Sequence, residues 1–153
     1  MSLKITVDST EVQSLFARLK QLVAEPRAAL VEIGNRILGL ARTSFEKQAS
    51  PEGVPWVALN LRYAAWKQKR FPGRNILQRR GALLRTLFSA VSERTVIVGS
   101  PQIYSGIHQF GGQAGRRLAT RIPARPFLPT AETAEKIAVE VLEEHIEQAI
   151  GGR

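Results

Sequence analysis

The sequence predicts an α+β fold: a single domain with N- and C-terminal helices packed on a small antiparallel sheet, carrying a long extended loop or arm. Three observations predict it. Apolar residues recur at helical period in residues 12–23, 30–45 and 137–146. Between them, segments punctuated by Pro and Gly hold short β-branched runs such as TVIVGS. The length, 153 residues, suits one domain over 1–153 and lets folding bury roughly 68–70% of the unfolded surface.

Residues 2–7, SLKITV, read as a short strand. Asp8, Ser9 or Thr10 caps the first helix, with Thr10 and Gln13 at capping-box spacing. Val12, Leu15, Phe16, Leu19, Leu22 and Val23 form its apolar stripe. Glu25-Pro26 stops it, and Pro26 suits the first turn of a second helix from about Arg27 to Lys47. Leu30, Ile33, Ile37, Leu38, Ala41 and Phe45 line the buried side of that helix. Gly34 and Gly39 either weaken it or let a partner approach closely.

ASPEGVPW, residues 49–56, is irregular, and Trp56 pins it to the core. Asn60 caps a short helix, LRYAAWKQKR, and FPGRN is a turn. ILQRRGALLRTLFSAV passes from helix into strand, and TVIVGS is a second strand after a turn at Ser92-Glu93-Arg94. Residues 113–125 form a long basic hairpin arm or loop. From Thr130 a last helix runs, with Glu132 and Glu135 near its positive N-terminal dipole. Ile137, Val141, Leu142 and Ile146 are its apolar side, and Gly151-Gly152 end it.

Composition removes several function classes. With no cysteine there is no disulfide, thiolate ligand or cysteine nucleophile. No apolar run approaches the ~20 residues of a membrane span, and MSLKITVDST lacks a signal peptide's apolar core. Cytoplasmic synthesis and use is the expectation. The net charge of +9 is unevenly spread. Residues 61–130 hold thirteen basic residues and one acid, Glu93, while 131–153 hold six acids and two bases. Such asymmetry marks either a nucleic-acid surface or a basic face that meets an acidic face of a neighbouring subunit.

YSGIHQFGG, residues 104–112, is the one stretch that resembles a site. Catalysis by His108 would need an orienting carboxylate and a nucleophile, and a metal would need further ligands. Neither stands at motif spacing, so His108 reads as structural and His145 as a solvated helix residue. No phosphate-cradling loop is present. We therefore expect no catalytic residue, no cofactor and no metal. Arg62, Lys67, Lys69, Arg70, Arg74, Arg79, Arg80 and Arg85 are interleaved with Tyr63, Trp66 and Phe71. Aromatics among cations can stack bases while the cations take phosphates. The reading preferred here keeps Tyr63 and Trp66 as core residues of a short helix whose cations form its solvated face.

PEGVPW, then Leu59 and Lys67, ILQRRGALLRTL, TVIVGS, YSGIHQFGG and IPARPFLP, in that order, resemble the phage virion morphogenesis family, the Mu-type tail morphogenesis and tail completion group. The resemblance runs from about Phe45 to Pro129. It implies a non-enzymatic structural protein of a phage or prophage, acting in tail completion and head–tail joining. Related neck and tail-completion proteins form rings around the DNA channel, which implies a homo-oligomer, a ring of six, with other tail or neck proteins as partners. DNA in the channel would be met without sequence specificity, and no membrane is involved. Assembly would take place in the host cytoplasm and end in the virion tail or neck. Trp56, Tyr104, His108, Phe110, Gly111, Pro126 and Phe127 become structural motif residues, with residues 112–123 a flexible arm. Arg62, Lys67, Lys69, Arg70, Arg74, Arg79, Arg80, Arg116, Arg117 and Arg121 become candidates for a subunit interface or a DNA channel.

Overall fold

A computed structural model describes residues 10–151. The strand expected over 2–7 and the caps Asp8 and Ser9 lie outside the described residues. The chain order is α1 (Thr10–Ala24), α2 (Arg27–Lys47), α3 (Leu61–Arg70), α4 (Ala82–Arg85), β1 (Phe88–Ser92), β2 (Thr95–Gly99), α5 (Ser105–Phe110), β3 (Gly112–Ala114), β4 (Thr120–Ile122) and α6 (Ala131–Gly151). The fold is α+β, and among the described residues the strands form two antiparallel ribbons, β1–β2 and β3–β4, in place of one sheet.

α2 is the spine. Ala29, Ile33, Ile37, Ala41 and Phe45 recur at four-residue spacing and are all buried on one side. The first half of that stripe packs with Val141 of α6 and with Val96 and Val98 of β2. The second half, Ala41 and Phe45, packs with Trp56, Leu83, Leu87 and Phe127. Phe45 meets Trp56 edge-on, ring centroids 5.5 Å apart, and Phe127 at 5.6 Å. Each such side chain contributes about 1.5–3 kcal/mol when fully buried. Trp56 is held in register by a hydrogen bond from Nε1 to Pro126 O, 2.7 Å.

Close approach explains one of the two glycines of α2. A Cβ on Gly34 would fall 2.1 Å from Ser89 Oγ and 2.9 Å from a Val96 methyl, so its absence lets β1 and β2 lie on the helix. A Cβ on Gly39 would meet nothing within 4 Å.

α6 is fastened to α2 by charge as well as packing. Arg36 Nη1 donates to Glu144 Oε1 at 3.0 Å and its second nitrogen bonds Glu144 Oε2 and, at 2.6 Å, Glu32 Oε1. His145 Nε2 stands 2.9 Å from Glu32 Oε2. His145 is therefore not the solvated residue expected: i,i+4 periodicity places it beside Val141 on the side facing α2, where Glu32 waits.

Two apolar stripes are less buried than their periodicity predicted. Phe16 and Val23 of α1 are 66% and 71% exposed, and Leu142 and Ile146 of α6 are 40% and 41% exposed. α1 packs against α6, and none of its described side chains is buried. Period reports that a face is apolar; it does not say whether the same chain covers it. The helix expected in ILQRRGALLRTLFSAV is only α4, four residues long, entered through Gly81 at φ 72.

Candidate functional site

The site is built by three segments that meet over the second half of the core. α3 supplies the first. Asn60 Oδ1 accepts from Arg62 N at 3.0 Å and caps the helix. With no acid in α3 to balance them, its cations and aromatics have to divide between core and solvent, and they divide against expectation. Lys67, read as a solvated cation, is 4% exposed, and its Nζ donates to Asn75 O. Tyr63 and Trp66, read as core, are 41% and 43% exposed. They stack on each other at 5.5 Å, and Trp66 meets Phe71 edge-on at 5.9 Å. Four methylenes let the lysine bury its stem along the helix–loop interface while its ammonium reaches a carbonyl. Burial lowers the Lys67 pKa, and the nearby Arg125 guanidinium lowers it further.

The second segment is the YSGIHQFGG stretch, which forms the short helix α5 and not simply a turn. Gln109, to which sequence reasoning gave no role, is its working residue. Oε1 accepts from Phe127 N and Leu128 N, both at 3.0 Å, and Nε2 donates to Leu128 O at 3.1 Å. A glutamine two residues before Gly-Gly was the available signal. The His108 carbonyl accepts from Arg125 N at 2.7 Å. Its ring lies edge-on to Tyr104, centroids 5.9 Å apart, and Nδ1 is buried without a hydrogen-bond partner. Burial, and then the charge of Arg125, hold the His108 pKa below its ordinary value. Phe110 is 82% exposed. Gly111 takes φ 74 and a Cβ there would fall 2.9 Å from Ala124 N.

The third segment is the basic hairpin, β3 and β4 joined by a turn in which Arg117 and Leu118 have φ 56 and 57. Beyond it Arg125 is 6% exposed, donating Nε to Val57 O at 2.8 Å and Nη2 to Ala58 O at 3.2 Å. Phe127 beside it is fully buried, 1% exposed.

Together with the stretch from Leu77 to Leu83, these segments enclose a cleft of about 920 Å³. Arg62, Lys67, Arg79, Arg80, Arg121 and Arg125 line it, and among the described residues no carboxylate does. Tyr104 and His108 stand in its wall, as does Leu77, held at φ 61. Of the cations singled out from the sequence, Arg62, Lys67, Arg79, Arg80 and Arg121 are thus brought together. Lys69, Arg70, Arg74, Arg116 and Arg117 are exposed but do not line the cleft. Among the described residues no group of three or more His, Asp or Glu side chains could hold a metal ion. No described helix is long and apolar enough to cross a membrane.

The chain is thus an α+β domain with uncovered apolar helix faces and a cleft lined by cations. The particular family is shown by sequence comparison. The model of the phage virion morphogenesis family matches residues 7–147, and the chain belongs to that family. It is 29% identical to the putative capsid assembly protein G of Escherichia phage Mu, covering 98% of this chain and 97% of that protein. It is 27% identical to the Mu-like prophage FluMu G protein 2 of Haemophilus influenzae, over 94% of each chain. No solved structure matches the chain.

Proposed function

We propose that this virion morphogenesis protein is a non-enzymatic ring subunit that completes the phage tail and prepares it to join the head. The observation that carries the reading is the uncovered apolar surface of α1 and α6: Phe16 and Val23 on one helix, Leu142 and Ile146 on the other. Surfaces of this kind mark association sites. The charge asymmetry adds orientation, since a neighbour's acidic α6 suits the basic central segment. The name of the Mu relative, capsid assembly, fits a place at the junction of tail and head, reached from the host cytoplasm. Native mass spectrometry across a salt series, with and without tails that lack this subunit, tests the reading. A closed oligomer, six-membered on the ring model, is expected. A strict monomer at low salt with tails present overturns it.

A second reading, a non-specific nucleic-acid-binding module over residues 62–85, is favoured by the exposed Tyr63–Trp66 stack among cations. Unrelated duplexes should then bind alike and release together as salt rises. Retained preference for one sequence at physiological salt excludes it.

A further inference from the structure

Two features of the cleft lie outside the assembly reading. The first is a missing counter-charge. Lys67 and Arg125 are both buried and both line the cleft, yet their side chains donate to neutral carbonyls: Asn75 O for the lysine, Val57 O and Ala58 O for the arginine. A cation taken out of water is costly unless an opposite charge meets it. Among the described residues lining the cleft there is no carboxylate to do so, and Arg62, Arg79, Arg80 and Arg121 add four more positive charges at the same place.

The second feature is a strand edge. β4 contributes Thr120, Arg121 and Ile122 to the lining in unbroken succession, followed by Pro123, whereas β3 contributes nothing. Successive strand side chains point to opposite faces. A cleft lying over one face of the ribbon would be lined by alternate residues and by β3 as well. Consecutive residues from β4 alone mean that the cleft follows the side of β4 turned away from β3, where no described strand pairs with it. A two-stranded ribbon is marginal alone, and a third strand completes it.

We propose that the cleft binds an extended acidic segment of another protein, added as a third strand to β4, with its carboxylates supplying the counter-charge that the cleft lacks. The strand edge decides for a peptide over a nucleic acid, because a sugar–phosphate backbone has no row of amides to pair with it. The acids of this chain decide for a different protein over a second copy. Nine of its thirteen acids lie in α1, α2 and α6, whose backbones are already spent on their own helices, and no described extended segment holds more than one. Leu77 and Ile122 in the wall give the alternate, apolar side chains of such a segment a place to rest. The proposal holds whether or not the chain closes into a ring.

The test is fluorescence anisotropy of the full chain with a short labelled peptide of alternating glutamate and valine. Its lysine-for-glutamate counterpart, a version N-methylated at alternate amides and oligothymidylate run beside it. The acidic peptide should bind and slow hydrogen exchange at residues 120–122. Arg79→Glu and Arg121→Glu, both at exposed positions, should each weaken it roughly tenfold or more while leaving thermal unfolding in place. N-methylation should weaken it comparably. The proposal is overturned if the acidic peptide fails to bind at millimolar concentration, or if the lysine or N-methylated peptide binds equally. Displacement by oligothymidylate overturns it in favour of nucleic acid, and release of the peptide as the chain concentration is raised overturns it in favour of self-docking.

Discussion

Gln109 holds the chain at Phe127: one side-chain amide accepts from Phe127 N and Leu128 N and donates to Leu128 O, so both its oxygen and its nitrogen are engaged by a segment 18 residues away. Phe127 thereby reaches Phe45, and Arg125, two residues earlier, is set in the wall of the cleft. Gln109→Ala should lower stability by about 2–4 kcal/mol, because two amides and a carbonyl lose their partner in a half-buried place. Gln109→Glu keeps the acceptors and loses the donor, so it should cost less. Thermal or urea unfolding of the two variants checks the order.

The two glycines of α2 should respond with opposite sign. Gly34→Ala drives a methyl into Ser89 and Val96 and should cost about 1–3 kcal/mol as β1 and β2 are pushed off the helix. Gly39→Ala enters open space in a helix interior and should stabilise by up to about 1 kcal/mol. Urea midpoints of the pair measure this, and equal shifts would refute the close-approach account.

Acid should weaken the fold through His108. Its folded pKa lies below the ordinary 6.5 through burial and then Arg125, so below pH 6.5 the unfolded chain binds a proton that the folded chain resists. Stability from this group is fully present above pH 6.5 and falls as the pH drops toward the folded value. His108→Gln should leave the fold intact and flatten that part of the stability–pH curve. Parallel unfolding curves for wild type and variant between pH 7 and pH 5 would refute it.

Much of the fold was legible because local rules and the core agree. The stripe of α2, the Asn60 cap and the Ser92–Thr95 turn each follow from period or turn chemistry within a few residues. The site was less legible because its geometry joins residues distant in sequence. Nothing in LRYAAWKQKR says that Lys67 will find Asn75 O while Trp66 stays in solvent. Gln109 looks like any polar residue until Phe127 arrives. Glu32 and His145, 113 positions apart, are likewise paired only by the packing of α6 on α2.

Assembly should depend on the uncovered helix faces. Phe16→Glu and Ile146→Glu replace exposed apolar side chains, so each should change monomer stability by less than about 0.5 kcal/mol while reducing oligomer formation. Sedimentation velocity at matched concentration and salt reads the second effect. Unchanged association in both variants would move the contact elsewhere.

The position of α1 also has a consequence for the order in which the molecule opens. The helix has 15 residues, close to the length at which an isolated helix is marginal in water, and its described side chains add nothing to either buried cluster. Its amides therefore belong to the least protected class, opening through local fraying that leaves α2 and α6 closed. Amide exchange in the free subunit should begin at Thr10–Ala24 well before it reaches the Ala29–Phe45 spine. A neighbour that covers Phe16 and Val23 would remove that difference, so association would be recorded as slowed exchange in α1 before any other part of the chain reports it.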